Sequence, residues 1–267
     1  MLKIAIDAGH GLMTSGKRCM KSIDSNETRE WTLNNRIACA LQEILAGYNC
    51  AILRVDDTTG AIDIPLSKRT KSANDWGADV YISIHHNAGV NGRSGGGTVV
   101  FYYSSKSERK TQAYDMYNCV TNQTGLIGDR SSKVVKKGFA VLRNSKMPSF
   151  LIENGFMDST HDVPIILTKK HAISTANGIT KFLVNSFGLK KKKSASTVVQ
   201  NVTPSEFRVK VIVDALNIRK GPGVLNSKVG CINGGGTYTI IKTHGNWGFL
   251  KSGIGWINIS EKYCKRL

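Results

Sequence analysis

The stretch "IAIDAGHG", residues 4–11, decides the reading of the fold. Its first four residues alternate as a buried strand does, and the chain then breaks into Gly9, His10 and Gly11. Glycine tolerates backbone angles that other residues avoid and lets another group come close, so His10 reads as a side chain presented at a strand end. The plainer alternative is a turn carrying a solvated histidine. Working outward, two more runs have the same form. "DVYISI" (79–84) is followed by His85, and "SFLIE" (149–153) ends on Glu153. Further strand-like runs are "CAILRV" (50–55) and "TVVFYY" (98–103), and "FAVL" (139–142) is a short apolar run. Helical periodicity falls between them. Leu33, Ile37, Leu41, Ile44 and Leu45 share a face within 30–46, "SKRTKSANDWGA" (67–78) closes at Gly77, 107–124 suits a helix, and Ile173, Ala176, Ile179, Leu183 and Phe187 are in register within 169–187. Strands alternating with helices predict an α/β fold, a mostly parallel sheet flanked by helices.

The chain has 267 residues, 40% of them hydrophobic, which is room for one large domain and a small one with a real core. No apolar run approaches the roughly 20 residues of a membrane span, so no membrane insertion is expected. The first residues lead straight into a strand rather than through a basic and then apolar leader, so no signal peptide is expected either. The net charge of +18 is uneven: residues 189–267 hold 14 Lys/Arg against 3 acids, and residues 1–188 hold 23 against 16. That balance predicts a polyanionic partner without naming it. The six cysteines form no CxxC pair and no zinc-ribbon spacing, and read as reduced thiols.

Composition changes at "GLKKKKSASTVVQNVTPSEF" (188–207), a charge run with small polar residues and a proline. This is linker composition. Beyond it, "FRVKVIVDALNIRKGPG", "KVGCI", "YTIIKTHGNWGFLK" and "GIGWINI" are short β-like runs between Gly-rich turns, which predict a small all-β barrel. The expected plan is a catalytic domain at 1–188, a linker at 189–207 and a barrel at 208–267. At least one of Trp247 and Trp256 is expected in the barrel core.

Ligands of open α/β sheets sit at the carboxyl ends of strands. His10, His85 and Glu153 all lie at such ends. Imidazole and carboxylate suit zinc, and a catalytic zinc takes three protein ligands and leaves a fourth position open. Two histidines therefore need one more ligand, and Glu27 and Glu30, near the start of the first helix, both qualify. A carboxylate there is also what a helix N-terminus favours for its own sake. Asp7 reads as a turn-former or a contact to a ligand. His161, His171 and His244 lack a partner pattern.

Four blocks in order, "DAGHG" (7–11), "EWTLN" (30–34), "ISIHHNA" (82–88) and "FLIENGFMDS" (150–159), resemble the zinc-dependent N-acetylmuramoyl-L-alanine amidases over about residues 1–187. These enzymes cut peptidoglycan between the lactyl group of N-acetylmuramic acid and the L-alanine of the stem peptide. The resemblance implies Zn²⁺ as cofactor, His10, Glu30 and His85 as metal ligands, and Glu153 as the catalytic carboxylate. Glu30 is favoured over Glu27 because the family's glutamate is followed four residues later by asparagine, here Asn34. The implied mechanism has a zinc-activated water as nucleophile and Glu153 as proton carrier. His86, one position past the third ligand, is expected at the surface or against substrate. Arg69 is expected to tie a helix to a loop, and Asn87 to orient the loop after the ligand or touch substrate.

"LNIRKGPG" (216–223), "GNWGFLKSG" (245–253) and "GWI" (255–257) resemble bacterial SH3-like domains, which implies a wall-binding tail. The partners implied are peptidoglycan and anionic wall polymers such as teichoic acids, and not nucleic acid, with oligomeric state open. The whole looks like a phage endolysin for a Gram-positive host, held in the host cytoplasm until a holin lesion releases it to the cell wall. A prophage-derived autolysin has nearly the same sequence signature. A zinc stem-peptide carboxypeptidase and a catalytically inactive wall-binding protein are the rival readings.

Overall fold

The computed structural model describes residues 1–129, 131–192, 206–224 and 226–267. It divides into two compact units, Met1–Lys192 and Lys193–Leu267.

The first unit is built on a six-stranded sheet. Its elements run β1 (Leu2–Ala8), α1 (Glu30–Leu45), β2 (Cys50–Arg54), α2 (Leu66–Trp76), β3 (Val80–Asn87), β4 (Thr98–Tyr102), α3 (Ser107–Thr124), β5 (Val134–Lys136), α4 (Ala140–Arg143), β6 (Ser149–Phe156), α5 (Asp162–Ile166) and α6 (Lys169–Phe187). The strand order is β2-β1-β3-β6-β4-β5. β1 runs parallel to β2 and β3, β3 to β6 and β4 to β5, and β4 alone meets its neighbour β6 antiparallel.

Alternation sorts the strand residues onto two faces. Ala5, Tyr81 and Leu151 join Ala73 of α2 and Val141 and Leu142 of α4 in one core. Ile4, Ile6, Ile82, Ile84, Phe150 and Ile152 are fully buried on the other, where Phe150 packs edge-to-face on Phe182 of α6. Both faces are covered, as a mainly parallel sheet requires. Leu33, Ile37, Leu41 and Leu45 of α1 are buried as the periodicity predicts, whereas Ile173 of α6 is 42% exposed and drops out of its predicted face. α2 ends on Gly77 at φ 67, a left-handed angle that glycine adopts without strain. Of the apolar run 139–142, Ala140, Val141 and Leu142 lie in the helical turn α4.

Leu189–Lys192, on composition the start of a linker, pair back onto the first unit: Asn49 N donates to the Lys190 carbonyl, Lys192 N donates to the Gly47 carbonyl, and Leu189 is buried. Residues 193–205 of the expected linker lie outside the described residues, and its last residue, Phe207, already belongs to the second unit's first strand.

The second unit is all antiparallel: β7 (Phe207–Val211), β8 (Ala215–Arg219), β9 (Lys228–Asn233), β10 (Thr237–His244), β11 (Trp247–Leu250), β12 (Trp256–Asn258) and β13 (Cys264–Arg266), ordered β13-β7-β10-β11-β12-β8-β9. Its core is Val209, Val211, Leu216, Ile218, Ile232, Ile240, Leu250, Ile257 and Cys264. Neither tryptophan belongs to it. Gly248 and Leu250 take the inward positions of β11, and a Cβ on Gly248 would lie 2.9 Å from both Ile240 and Ile259, so Trp247 and Phe249 point the other way and stay half-buried. Trp256, half-buried on β12, meets Phe249 at 5.2 Å between ring centroids.

Among the described residues no helix is long and apolar enough to cross a membrane. All six cysteines are free thiols.

Candidate metal centre

β1 is flanked by β2 on one side and β3 on the other, so the chain reverses its direction of travel across the sheet at the β1–β3 pair. A crevice opens at such a switch point. His10 follows β1 and His85 lies near the end of β3, so both reach this crevice. Their rings meet edge-to-face with centroids 4.9 Å apart. Glu30, the first residue of α1, reaches in fully buried: Oε2 lies 3.4 Å from His10 Nε2 and Oε1 lies 3.0 Å from His85 Nδ1. One donor atom from each of the three residues lies within 4.8 Å of the others.

The glycine before His10 explains its own presence. A Cβ on Gly9 would sit 2.0 Å from His85 Cε1 and 2.5 Å from its Nδ1. The His85 ring occupies the space that any larger residue would fill. His10 itself has φ 67, a costly angle for a residue with a Cβ. Its surroundings hold it there. Arg69 Nη2 donates to the His10 carbonyl at 3.0 Å, Asn34 Nδ2 donates to the Gly9 carbonyl at 3.1 Å, and Gly11 N donates to Thr14 Oγ1 at 2.9 Å.

Arg69 is the tie expected of it. Its guanidinium is almost fully buried and also donates to Asp7 Oδ1 at 2.5 Å, to Asp63 Oδ1 at 2.9 Å and to the Ala8 carbonyl at 2.9 Å. Asp7 is not a turn-former. It lies inside β1, 1% exposed, and its other oxygen accepts from Ser83 Oγ at 2.7 Å and Tyr81 Oη at 3.0 Å. Burial pushes its pKa up, but Arg69 and the hydrogen bonds outweigh that and hold the carboxyl below the usual range.

The charge states of His10 and Glu30 suit a cation. Burial pulls the His10 pKa down to about 4 against the pull of Glu30, leaving a neutral imidazole. Burial would raise Glu30, but the hydrogen bond and charge of His85, then His10 and Lys17, bring it down to about 2, leaving a carboxylate. Burial lowers the His85 pKa, but the hydrogen bond and charge of Glu30 outweigh that and raise it, so His85 must give up a proton for a metal to bind. Glu30 Oε2 is buried and accepts no hydrogen bond. A buried carboxylate oxygen left open beside two imidazoles is a donor set for a divalent metal such as zinc, and the residues fit that group. Glu27 is not part of the cluster; its carboxylate pairs with Arg18 at 3.1 Å.

Glu153 pairs in register with His85 across β3 and β6. The residue is half-buried, with Oε2 sheltered and unpaired. Burial raises its pKa to about 7, helped by Glu30 and opposed by His85 and Lys17.

A family profile described as N-acetylmuramoyl-L-alanine amidase matches residues 4–185, the span that builds this sheet and crevice. The sporulation-specific N-acetylmuramoyl-L-alanine amidase of Bacillus subtilis (strain 168) is 33% identical over 216 residues, covering 81% of this chain and 79% of that protein. The chain belongs to the N-acetylmuramoyl-L-alanine amidase family. It is a hydrolase of peptidoglycan. An endolysin of Bacillus phage SPP1 is 26% identical over 214 residues, covering 78% of this chain and 74% of that protein. Among solved structures, the catalytic domain of the amidase CwlV from Bacillus (Paenibacillus) polymyxa var. colistinus superposes with a TM-score of 0.63 at 25% identity, covering 71% of this chain and all of that one.

Of the residues around the centre, some were misread in sequence, some were left open and some were missed. His86 is 2% exposed and so is not at the surface. Its backbone N donates to Glu30 Oε1 at 3.1 Å, and its Nδ1 donates to Asn34 Oδ1 at 2.8 Å. His171, without a pattern in sequence, is buried with its ring 6.3 Å from His86. The Asn87 side chain turns back onto the Ala88 backbone, and its carbonyl accepts from Met157 N at 2.7 Å, so it shapes the loop after β3. Asp158 clamps that loop: Oδ2 accepts from Gly89, Val90 and Asn91 N at 2.8–2.9 Å. The four-residue spacing of Glu30 and Asn34 on α1 was the one available signal, since it places both on the face that meets β3.

Proposed function

We propose that this amidase is a zinc enzyme in which His10, Glu30 and His85 hold the ion and Glu153 carries the proton. The observation that carries the proposal is the open, buried Oε2 of Glu30 among donor atoms within 4.8 Å of one another. Zinc in such a site supplies Lewis acidity, polarising a carbonyl and lowering the pKa of water from about 16 to about 7. The chain supplies the rest. Arg69 and Asn34 fix the loop that carries His10, and Asn34 and His86 fix Glu30. Glu153 accepts a proton from the attacking water as its oxygen adds to the lactyl carbonyl carbon. As the C–N bond breaks, Glu153 returns the proton to the departing L-alanine nitrogen. No serine or cysteine nucleophile takes part.

The second unit is proposed as an SH3-like wall-binding domain for peptidoglycan and anionic wall polymers, not for nucleic acid. Its half-exposed Phe249 and Trp256 stand in register with Lys242 and Arg219 on the flanking strands, an aromatic row ended by cations. The physiological role proposed is a phage endolysin acting on a Gram-positive wall after release from the host cytoplasm through a holin lesion. The likeness to the SPP1 endolysin supports this.

The test is product analysis on purified Gram-positive walls. Amidase action frees the amino group of L-alanine on wall fragments; released D-alanine would mean a carboxypeptidase instead. Chelation should stop turbidity loss and zinc restore it. For the biological role, expression inside the host should lyse cells only when a holin is co-expressed.

A further inference from the structure

One charged group at the centre has no part in the mechanism above. Lys17 Nζ lies 3.6 Å from Glu30 Oε2, the same oxygen that accepts no hydrogen bond. A charge-assisted hydrogen bond is shorter, about 2.7–2.9 Å, so the contact is loose. The Lys17 side chain is 42% exposed and Glu30 is 0% exposed, so the ammonium reaches the buried carboxylate from the solvent side. Its backbone is pinned: the Lys17 carbonyl accepts from Glu30 N at 3.0 Å, and Arg18 bridges to Arg29. The loop therefore keeps the ammonium at the mouth of the crevice, where its charge acts on His10, Glu30 and Glu153 alike.

Resting on the metal-amidase reading, we propose that Lys17 is a substrate-binding residue that exchanges partners. Its ammonium lies on Glu30 while the metal is away, and turns to a carboxylate of the substrate's peptide when the metal holds Glu30. The argument is electrostatic. Glu30 Oε1 already faces His85 Nδ1 and the His86 N–H. A divalent ion on Oε2 and an ammonium beside it repel, and the exposed, flexible partner is the one that moves. It then faces solvent at the mouth of the crevice, where the next anion to arrive is the substrate's. The muramoyl side of the scissile bond brings none, because its acid is the acyl half of the amide being cut. The carboxylates lie on the peptide side, so Lys17 reads that side.

Two measurements test this on the full chain. First, Zn²⁺ alone is titrated calorimetrically into metal-free parent, Lys17→Met and Lys17→Arg. Lys17→Met, which lacks the competing cation, should bind zinc more tightly than the parent, and Lys17→Arg should not. Second, soluble N-acetylmuramoyl-L-alanyl-glutamate is compared with the same compound carrying both carboxyls as amides. The parent should prefer the free acid, and Lys17→Met should lose about fivefold of that preference in kcat/KM, the scale of a partly exposed ion pair, through KM. Lys17→Arg should keep it. Unchanged zinc affinity, or a loss shared equally by the two substrates, overturns the proposal alone. A parent that takes up no zinc removes it together with the metal reading.

Discussion

Replacing Gly9 by alanine tests how the centre is built without touching any ligand. Gly9 has no left-handed angle to lose, and its N–H bond to the Ile84 carbonyl at 3.0 Å survives the change. Only the added methyl matters. It would lie 2.0 Å from Cε1 and 2.3 Å from Nε2 of His85. A carbon contact is comfortable at about 3.5 Å, so ring and strand must part by about 1.5 Å. Metal–ligand distances tolerate about 0.2 Å. His85 is therefore pushed out of reach of a shared ion, and zinc affinity should fall at least 10- to 100-fold, the scale seen when a ligand's orientation is lost. The strain itself costs about 1–3 kcal/mol, as overpacking does, and the sheet should survive it. The assay is zinc titration beside thermal unfolding, with wall turbidity as the activity readout. A Gly9→Ala protein that binds zinc and lyses walls as the parent does would refute the packing argument.

Glu153→Gln should lower turnover by about 10²- to 10⁴-fold while zinc affinity stays near the parent's, and wall lysis at the parent rate would remove Glu153 as the proton carrier. Asp7→Asn removes the more buried of the two carboxylates on the Arg69 guanidinium, leaving Asp63 and the backbone carbonyls, and should cost about 1.5–3 kcal/mol, read as a lower Tm. Because the Asp7 pKa is depressed in the fold, its stabilisation is complete above the unfolded value of about 3.9 and is lost as pH falls through the folded one, so the Tm gap between parent and variant should close in acid; a gap constant with pH would contradict this. Trp256→Ala should weaken co-sedimentation with purified walls by about tenfold, and unchanged pelleting would take the aromatic row out of wall binding.

His10 was legible as a residue just past a strand, and ligands of open α/β sheets gather at the carboxyl ends of strands. His85 and Glu153 were read as strand ends too, but β3 and β6 run on to Asn87 and Phe156. Strand and helix pattern alone left Glu27 and Glu30 both open, and only the family spacing to Asn34 favoured Glu30. Glu27 and Glu30 lie within one turn of each other, and the choice depends on a loop that folds back so that Glu30 N meets the Lys17 carbonyl. Asp7 was misread because alternation marks a residue as inward without naming its partner; Arg69 lies 62 positions away. His86 was misread for the same reason: nothing local showed that Asn34 and His171, distant in sequence, close over its ring. In the second unit, the alternation Trp247-Gly248-Phe249-Leu250 carried the answer. The small residue and the leucine face in, and both large rings are left on the outer side.

The most direct measurement is a crystal structure of the zinc-loaded protein with anomalous data at the zinc edge. The account predicts one ion bound by an imidazole nitrogen of His10, an imidazole nitrogen of His85 and a carboxylate oxygen of Glu30, with the Glu153 carboxylate facing the open coordination position. An ion bound elsewhere, or bound without one of these three residues, would contradict it.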